Sequence, residues 1–260
     1  LRPAGGLLLF LIVITGAAPA AAGAWTQPKG KGEAIFKYED MQAGRGFDPD
    51  GDLADLPADR TDRVLSLFTE YGVTDSVSIR FKGEWQSGED AFVEYDGRGP
   101  LEIGVNWQVW RDDHTAVALY AGLADGGEGR NAGYAPPGVG DQDWEVRAAF
   151  GRSFNGGNVS GWIPSGTFFD VQAARRMRAG LPDETRLDAT VGAHFGENWM
   201  VLGQAFGGMA DDGGPQWLSL EASVVRSFGD WRVQAGWREA VAGRETPQSG
   251  GAVIALWYSF

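Results

Sequence analysis

Residues Trp231-Arg232-Val233-Gln234-Ala235-Gly236-Trp237-Arg238 switch, one residue at a time, between apolar and polar or small side chains. A period of two places Trp231, Val233, Ala235 and Trp237 on one face of an extended strand and Arg232, Gln234, Gly236 and Arg238 on the other. A helix would scatter both sets around its circumference. Tryptophan and valine ask for an apolar surrounding, while arginine and glutamine ask for water or counter-charges. A strand that separates lipid from a polar interior supplies both.

The pattern recurs along the chain. Val77, Ile79, Phe81 and Trp85 alternate with Ser78, Arg80, Lys82 and Glu84. Leu101, Ile103, Val105, Trp107 and Val109 alternate with Glu102, Gly104, Asn106 and Gln108, and Leu187, Ala189, Val191 and Phe195 with Arg186, Asp188, Thr190 and His194. The predicted strands are 33–39, 63–71, 76–86, 100–110, 114–123, 143–153, 167–178, 184–195, 199–209, 216–228, 231–241 and 251–260. These runs have about the length of a tilted transmembrane strand, roughly ten residues. The expected fold is all-β, a transmembrane antiparallel up-and-down β-barrel of about twelve strands. A soluble sandwich needs neither strands so uniform nor an inner face so charged.

Connection lengths support the same topology, because bacterial barrels pair short periplasmic turns with longer external loops. Short turns are expected at 72–75, 111–113, 155–157, 196–198 and 229–230, and external loops at 40–62, 87–99, 124–142, 179–183, 210–215 and 242–250. Residues 91–95 are assigned to a loop, since a thirteenth strand would leave the two termini on opposite sides of the membrane. Aromatic residues flank the short turns: Phe195 with Trp199, Phe228 with Trp231, and Trp257 with Tyr258 near the end. They fit an interfacial girdle.

Composition agrees. The 260 residues include 40 Gly and 11 Trp, and Gly is well above the average of about 7% in soluble proteins. The absence of Cys excludes disulfides, a thiolate metal site and an N-terminal lipid-modified cysteine. A formal net charge of -13 disfavours nucleic acid as a partner.

The N-terminus reads as a secretory leader. Arg2 precedes an apolar run, Leu-Leu-Leu-Phe-Leu-Ile-Val-Ile-Thr at 7–15, and Ala22-Gly23-Ala24 offers a small-x-small cleavage site. The run is too short for a membrane-spanning helix, which needs about twenty residues. The expected organisation is a cleavable signal peptide over residues 1–24 and an outer-membrane barrel over 25–260.

The final segment, Ala252-Val253-Ile254-Ala255-Leu256-Trp257-Tyr258-Ser259-Phe260, resembles the C-terminal signal by which outer-membrane barrels are recognised by their insertion machinery, with Leu256, Tyr258 and Phe260 as its apolar face. Ala24-Trp25-Thr26-Gln27-Pro28-Lys29-Gly30 and the turn Glu70-Tyr71-Gly72-Val73-Thr74-Asp75 resemble proteobacterial barrels broadly similar to the phenol-degradation MetA-pathway channel group. The resemblance implies a barrel in the outer membrane of a Gram-negative bacterium that passes small, apolar molecules. It carries over no functional residue.

The charges of the polar face are the candidate lumen lining: Arg80, Lys82, Glu84, Glu102, Arg147, Asp170, Arg176, Arg186, Asp188, Glu221, Arg232 and Arg238. Two readings of them stand at this point. They line a small polar pore, giving a channel-like protein for a small-molecule solute, or they pair into a plug, giving a structural or surface-interaction barrel without transport. Arg175, Arg176 and Arg178 near the external rim suggest contact with lipopolysaccharide phosphates, alongside the surrounding outer-membrane lipid. Asp48-Pro49-Asp50-Gly51-Asp52 has alternating carboxylates but lacks the remaining ligands of a calcium loop, so no metal is expected. No cofactor motif is present. His114 and His194 both adjoin short turns and no G-x-S-x-G elbow occurs, so no enzyme is expected.

Overall fold

The computed structural model describes residues 23–92, 94–127, 140–156 and 163–260. The leader up to Ala22 lies outside them. The strands are β1 (Gly32–Phe47), β2 (Leu53–Gly72), β3 (Val77–Glu89), β4 (Glu94–Arg111), β5 (Thr115–Asp125), β6 (Gln142–Asn155), β7 (Gly166–Met177), β8 (Glu184–Phe195), β9 (Trp199–Ala210), β10 (Gln216–Phe228), β11 (Trp231–Arg244), the two-residue β12 (Thr246–Pro247) and β13 (Gly250–Ser259). Neighbours from β1 to β11 pair antiparallel in chain order, β13 pairs with β11, and β1 pairs with both β2 and β13. That last double pairing closes the sheet into a barrel of twelve staves. β12 is a small addition that pairs with the outer end of β1 through Gly46 and Phe47. Closure satisfies every ladder and leaves no open edge, the condition for strands to cross hydrocarbon.

Alternation in sequence becomes inside and outside in the barrel. On β11, Trp231, Val233 and Trp237 are exposed on the outer wall while Gln234 is buried. The same outward face carries Phe36, Leu65, Ile79, Ile103, Val146, Leu187, Val201, Val224 and Ile254 on the other staves. A continuous apolar band of this extent on a free surface calls for an apolar solvent. Near the short turns the band ends in Trp107, Trp110, Phe154, Trp199, Phe228 and Trp231.

Several boundaries differ from the sequence-based expectation. The expected external loop 40–62 is mostly strand: β1 and β2 continue, and only residues 48–52 form the turn. There the Asp48 carboxylate accepts the backbone N–H groups of Asp50 and Asp52, both at 2.9 Å, so it caps a tight turn. Likewise Glu94 and Tyr95 belong to β4 rather than to a loop, and β3 and β4 are joined by residues 90–93. β2 is 20 residues long, about twice what a tilted span requires, so this side of the barrel rises past the membrane. The β6–β7 connection, expected at 155–157, runs over 156–165, of which 157–162 lie outside the described residues.

Candidate functional site

Opposed positions on adjacent strands set the chemistry of the lumen, because directly cross-strand side chains on one face lie close enough to interact. Glu145 opposes Arg176, Arg176 opposes Glu184, Lys82 opposes Glu102, Glu70 opposes Arg80 and Glu221 opposes Arg238. Arg176, 1% exposed, reaches Glu102 at 2.8 Å and Glu145 at 2.7 Å. Arg147 pairs with Glu145 at 2.9 Å and Asp188 at 2.8 Å, and Arg178 with Glu184 at 2.6 Å. Across the lumen, Glu221 binds Arg238 at 2.7 Å and Lys37 at 3.4 Å, while Glu39 binds the same two cations at 2.7 and 3.0 Å. Such pairs hold each other in register, since removing one partner of a buried pair costs about 3–5 kcal/mol.

Nearer the short turns the lumen holds two apolar clusters. Phe168, Met200, Leu202, Val225, Ala255 and Trp257 form one cluster, with Ile35 against it, and Ala24, Ala116, Ala118 and Ala149 form another. Trp25 packs on both. The N-terminal segment therefore lies inside the barrel. Its backbone is held by polar groups of three strands, β3, β4 and β7: Arg80 and Asn106 donate to the Gly23 carbonyl at 3.1 and 3.2 Å, Gln108 donates to the Ala24 carbonyl at 3.0 Å, and the Ala24 N–H donates to Asp170 at 3.0 Å. Trp25 lies over Gly151, where any Cβ would come within 2.2 Å of its ring. The segment then leaves the lumen along Gly72, whose carbonyl accepts the Gly30 N–H at 2.8 Å. Gly30, at φ +75°, bends the chain into β1.

Between the ion-paired walls and this segment is a cavity of about 630 Å³. Of the twelve predicted lumen charges, Arg80, Lys82, Glu84, Glu102, Arg147, Arg176, Arg186, Asp188 and Arg238 line it. Three sit in the wall instead. Glu221 is covered by Lys37 and Arg238, Asp170 by Ala24 and Gln172, and Arg232 pairs with Glu33 beneath the Trp257 ring. Tyr120, Phe206, Trp217 and the backbone of Gly23 also line the cavity. The first three keep the inward phase of β5, β9 and β10, a signal available in the sequence. The contribution of Gly23 has no such signal, because its segment is not a strand.

The basic cluster at the rim does not form. Period two sends Arg175 outward, where it pairs with Asp183 and Asp211, while Arg176 and Arg178 turn inward and are buried. The three arginines thus offer no joint phosphate site. His114 sits exposed in the β4–β5 turn and His194 packs beside Phe168 at a ring separation of 6.0 Å. Among the described residues no cluster of side chains suits a metal ion. At the terminus, Leu256, Tyr258 and Phe260 face outward, with Tyr258 packed on Trp231 and Phe260.

A closed antiparallel barrel, apolar outside and charged within, has the architecture of an outer-membrane β-barrel. No protein-family model and no curated protein matches the sequence. Among solved structures the chain is similar to the COG4313 outer membrane channel from Pseudomonas putida F1, with a TM-score of 0.68 at 10% identity over 94% of this chain and 100% of that one. It is also similar to the KdgM porin, TM-score 0.53 at 7% identity over 87% and 99% of the two chains, and to the NanC porin, TM-score 0.53 at 8% identity over 86% and 98%. At these identities the likeness is one of fold.

Proposed function

We propose that the protein is a channel in the outer membrane of a Gram-negative bacterium, through which small molecules pass. The observation that carries this reading is the cavity of about 630 Å³ inside the barrel, a volume within the usual range for a small-molecule site. Its wall mixes charges of both signs with Tyr120, Phe206 and Trp217. That lining suits a small solute with an apolar or aromatic body and a polar group. The resemblance to the MetA-pathway group points to solutes of the same apolar kind. The outward apolar band supports residence among outer-membrane lipids, and the alternating terminal segment ending at Phe260 supports recognition by the insertion machinery.

Passage requires the Trp25 seat to open, since the N-terminal segment and the apolar clusters occupy the lumen between the cavity and the short-turn end. Swelling of proteoliposomes in small aromatic acids and in uncharged sugars tests the reading. Faster swelling in the aromatic acids than in protein-free liposomes is expected. No swelling in any solute would favour a structural or surface-interaction barrel closed by its own side chains.

A further inference from the structure

The sequence offers overlapping A-x-A sites at Ala18-Pro19-Ala20, Ala20-Ala21-Ala22 and Ala22-Gly23-Ala24; the two nearest the barrel, first Ala20-Ala21-Ala22 and second Ala22-Gly23-Ala24, both satisfy the requirement of a leader peptidase. The barrel distinguishes them. Gly23 and Ala24, which cleavage at the second site would remove with the leader, are built into the lumen. Ala24 is 0% exposed, and the two residues accept three side-chain hydrogen bonds and donate one.

We propose that the leader is cleaved between Ala22 and Gly23, so that the processed chain begins Gly23-Ala24-Trp25-Thr26 and keeps this tetrapeptide docked inside the barrel. Hydrolysis adds one water across the Ala22–Gly23 amide, leaving a carboxylate on Ala22 and an ammonium on Gly23. Loss of Gly23 and Ala24 would strip the acceptors from Arg80, Asn106 and Gln108 at this seat and the N–H donor from Asp170, itself 1% exposed. Groups buried without partners are costly, which favours the chain that retains both residues.

Retention of the whole leader is disfavoured by space and by polarity. The chain enters the lumen from the short-turn end, with Gly23 at the cavity wall, so any preceding residues must pass through or beyond the cavity. At about 630 Å³ it has the size of a small-molecule site and does not hold a chain of twenty-two residues. Threading the apolar run 7–15 past Lys82, Glu102 and Arg147 would also strip water from their ion pairs with no polar group to replace it. After cleavage at Gly23 the new ammonium shares the cavity with the carboxylates of Glu102, Glu145 and Asp188.

The test is the N-terminal sequence and intact mass of the barrel purified from outer membranes. The expected start is Gly-Ala-Trp-Thr; a start at Trp25, at any other residue, or an intact leader overturns the proposal. This readout does not depend on solute passage, so this proposal and the channel reading fail separately.

Discussion

The indole of Trp25 lies over Gly151 at the point where a side chain on that residue would stand, with ring atoms 2.2 and 2.4 Å from the position of an added Cβ. Trp25 and any larger residue at 151 therefore compete for one space. Gly151→Val is expected to unseat the N-terminal segment, since overpacking of this kind costs about 1–3 kcal/mol. The natural chain has no cysteine, so a single Thr26→Cys provides a clean probe at a position that is 5% exposed. Thiol labelling of Thr26→Cys should be slow alone and roughly tenfold faster or more when combined with Gly151→Val. Equal rates would show that the segment is not held by the Trp25 seat.

Arg176 tests the ion-paired wall. It joins β7 to Glu102 on β4 and Glu145 on β6, and its truncation removes the cation that the buried Glu145 and the cavity-lining Glu102 share. Arg176→Ala is expected to destabilise the folded barrel by about 3–5 kcal/mol, and the further changes Glu102→Gln and Glu145→Gln to recover much of that loss. Urea unfolding followed by the heat-modifiable gel shift measures both. A triple variant as unstable as the single one would mean that Arg176 acts through packing rather than charge.

Phe260 extends the closing seam between β1 and β13 by one residue pair. The Phe260 N–H donates to the Gly32 carbonyl at 2.9 Å, its carbonyl accepts the Gly32 N–H at 2.8 Å, and its ring covers Gly32. Deleting Phe260 removes this end of the seam together with the terminal aromatic of the apolar face. A drop in the folded, membrane-inserted fraction, with an unchanged lumen in the molecules that do fold, is the expected result. Wild-type insertion of the truncated chain would count against the role given to the terminus.

Asp112 supplies a pH dependence in the β4–β5 turn. Its carboxylate accepts the backbone N–H of His114 at 2.8 Å and of Thr115 at 2.7 Å, and these bonds hold its pKa below the ordinary 3.8. A depressed folded-state pKa gives stability that is present above the unfolded value and lost as pH falls through the folded one. The stability gap between wild type and Asp112→Ala should therefore be full at neutral pH and shrink below about pH 4. A gap that stays constant from pH 7 to pH 2.5 would remove the carboxylate from the account.

These features were not equally legible in the sequence. The Trp231–Arg238 alternation and the inward phase of the charges follow from period two, and period two survives in the barrel because lipid and lumen impose opposite demands on its faces. Arg175 and Arg176 show the same rule overlooked: as neighbours on a strand they had to part, one outward to Asp211 and one inward to Glu145. Hairpin lengths were less visible. Outside the membrane a strand needs no apolar face, so the outer part of β2, from Leu53 to Asp62, reads as a polar loop although it pairs with β1. The docking of Gly23 to Thr26 was hidden altogether, since its partners Asn106, Gln108 and Asp170 are distant in sequence and its backbone follows no period.

The most direct measurement of the central claim is single-channel conductance of the purified, folded barrel in planar bilayers, with and without residues 23–26. Discrete current steps are expected for the wild-type chain, and a higher open probability once the docked segment is deleted. Bilayers that stay silent with both proteins, each shown to be folded and inserted, would contradict it.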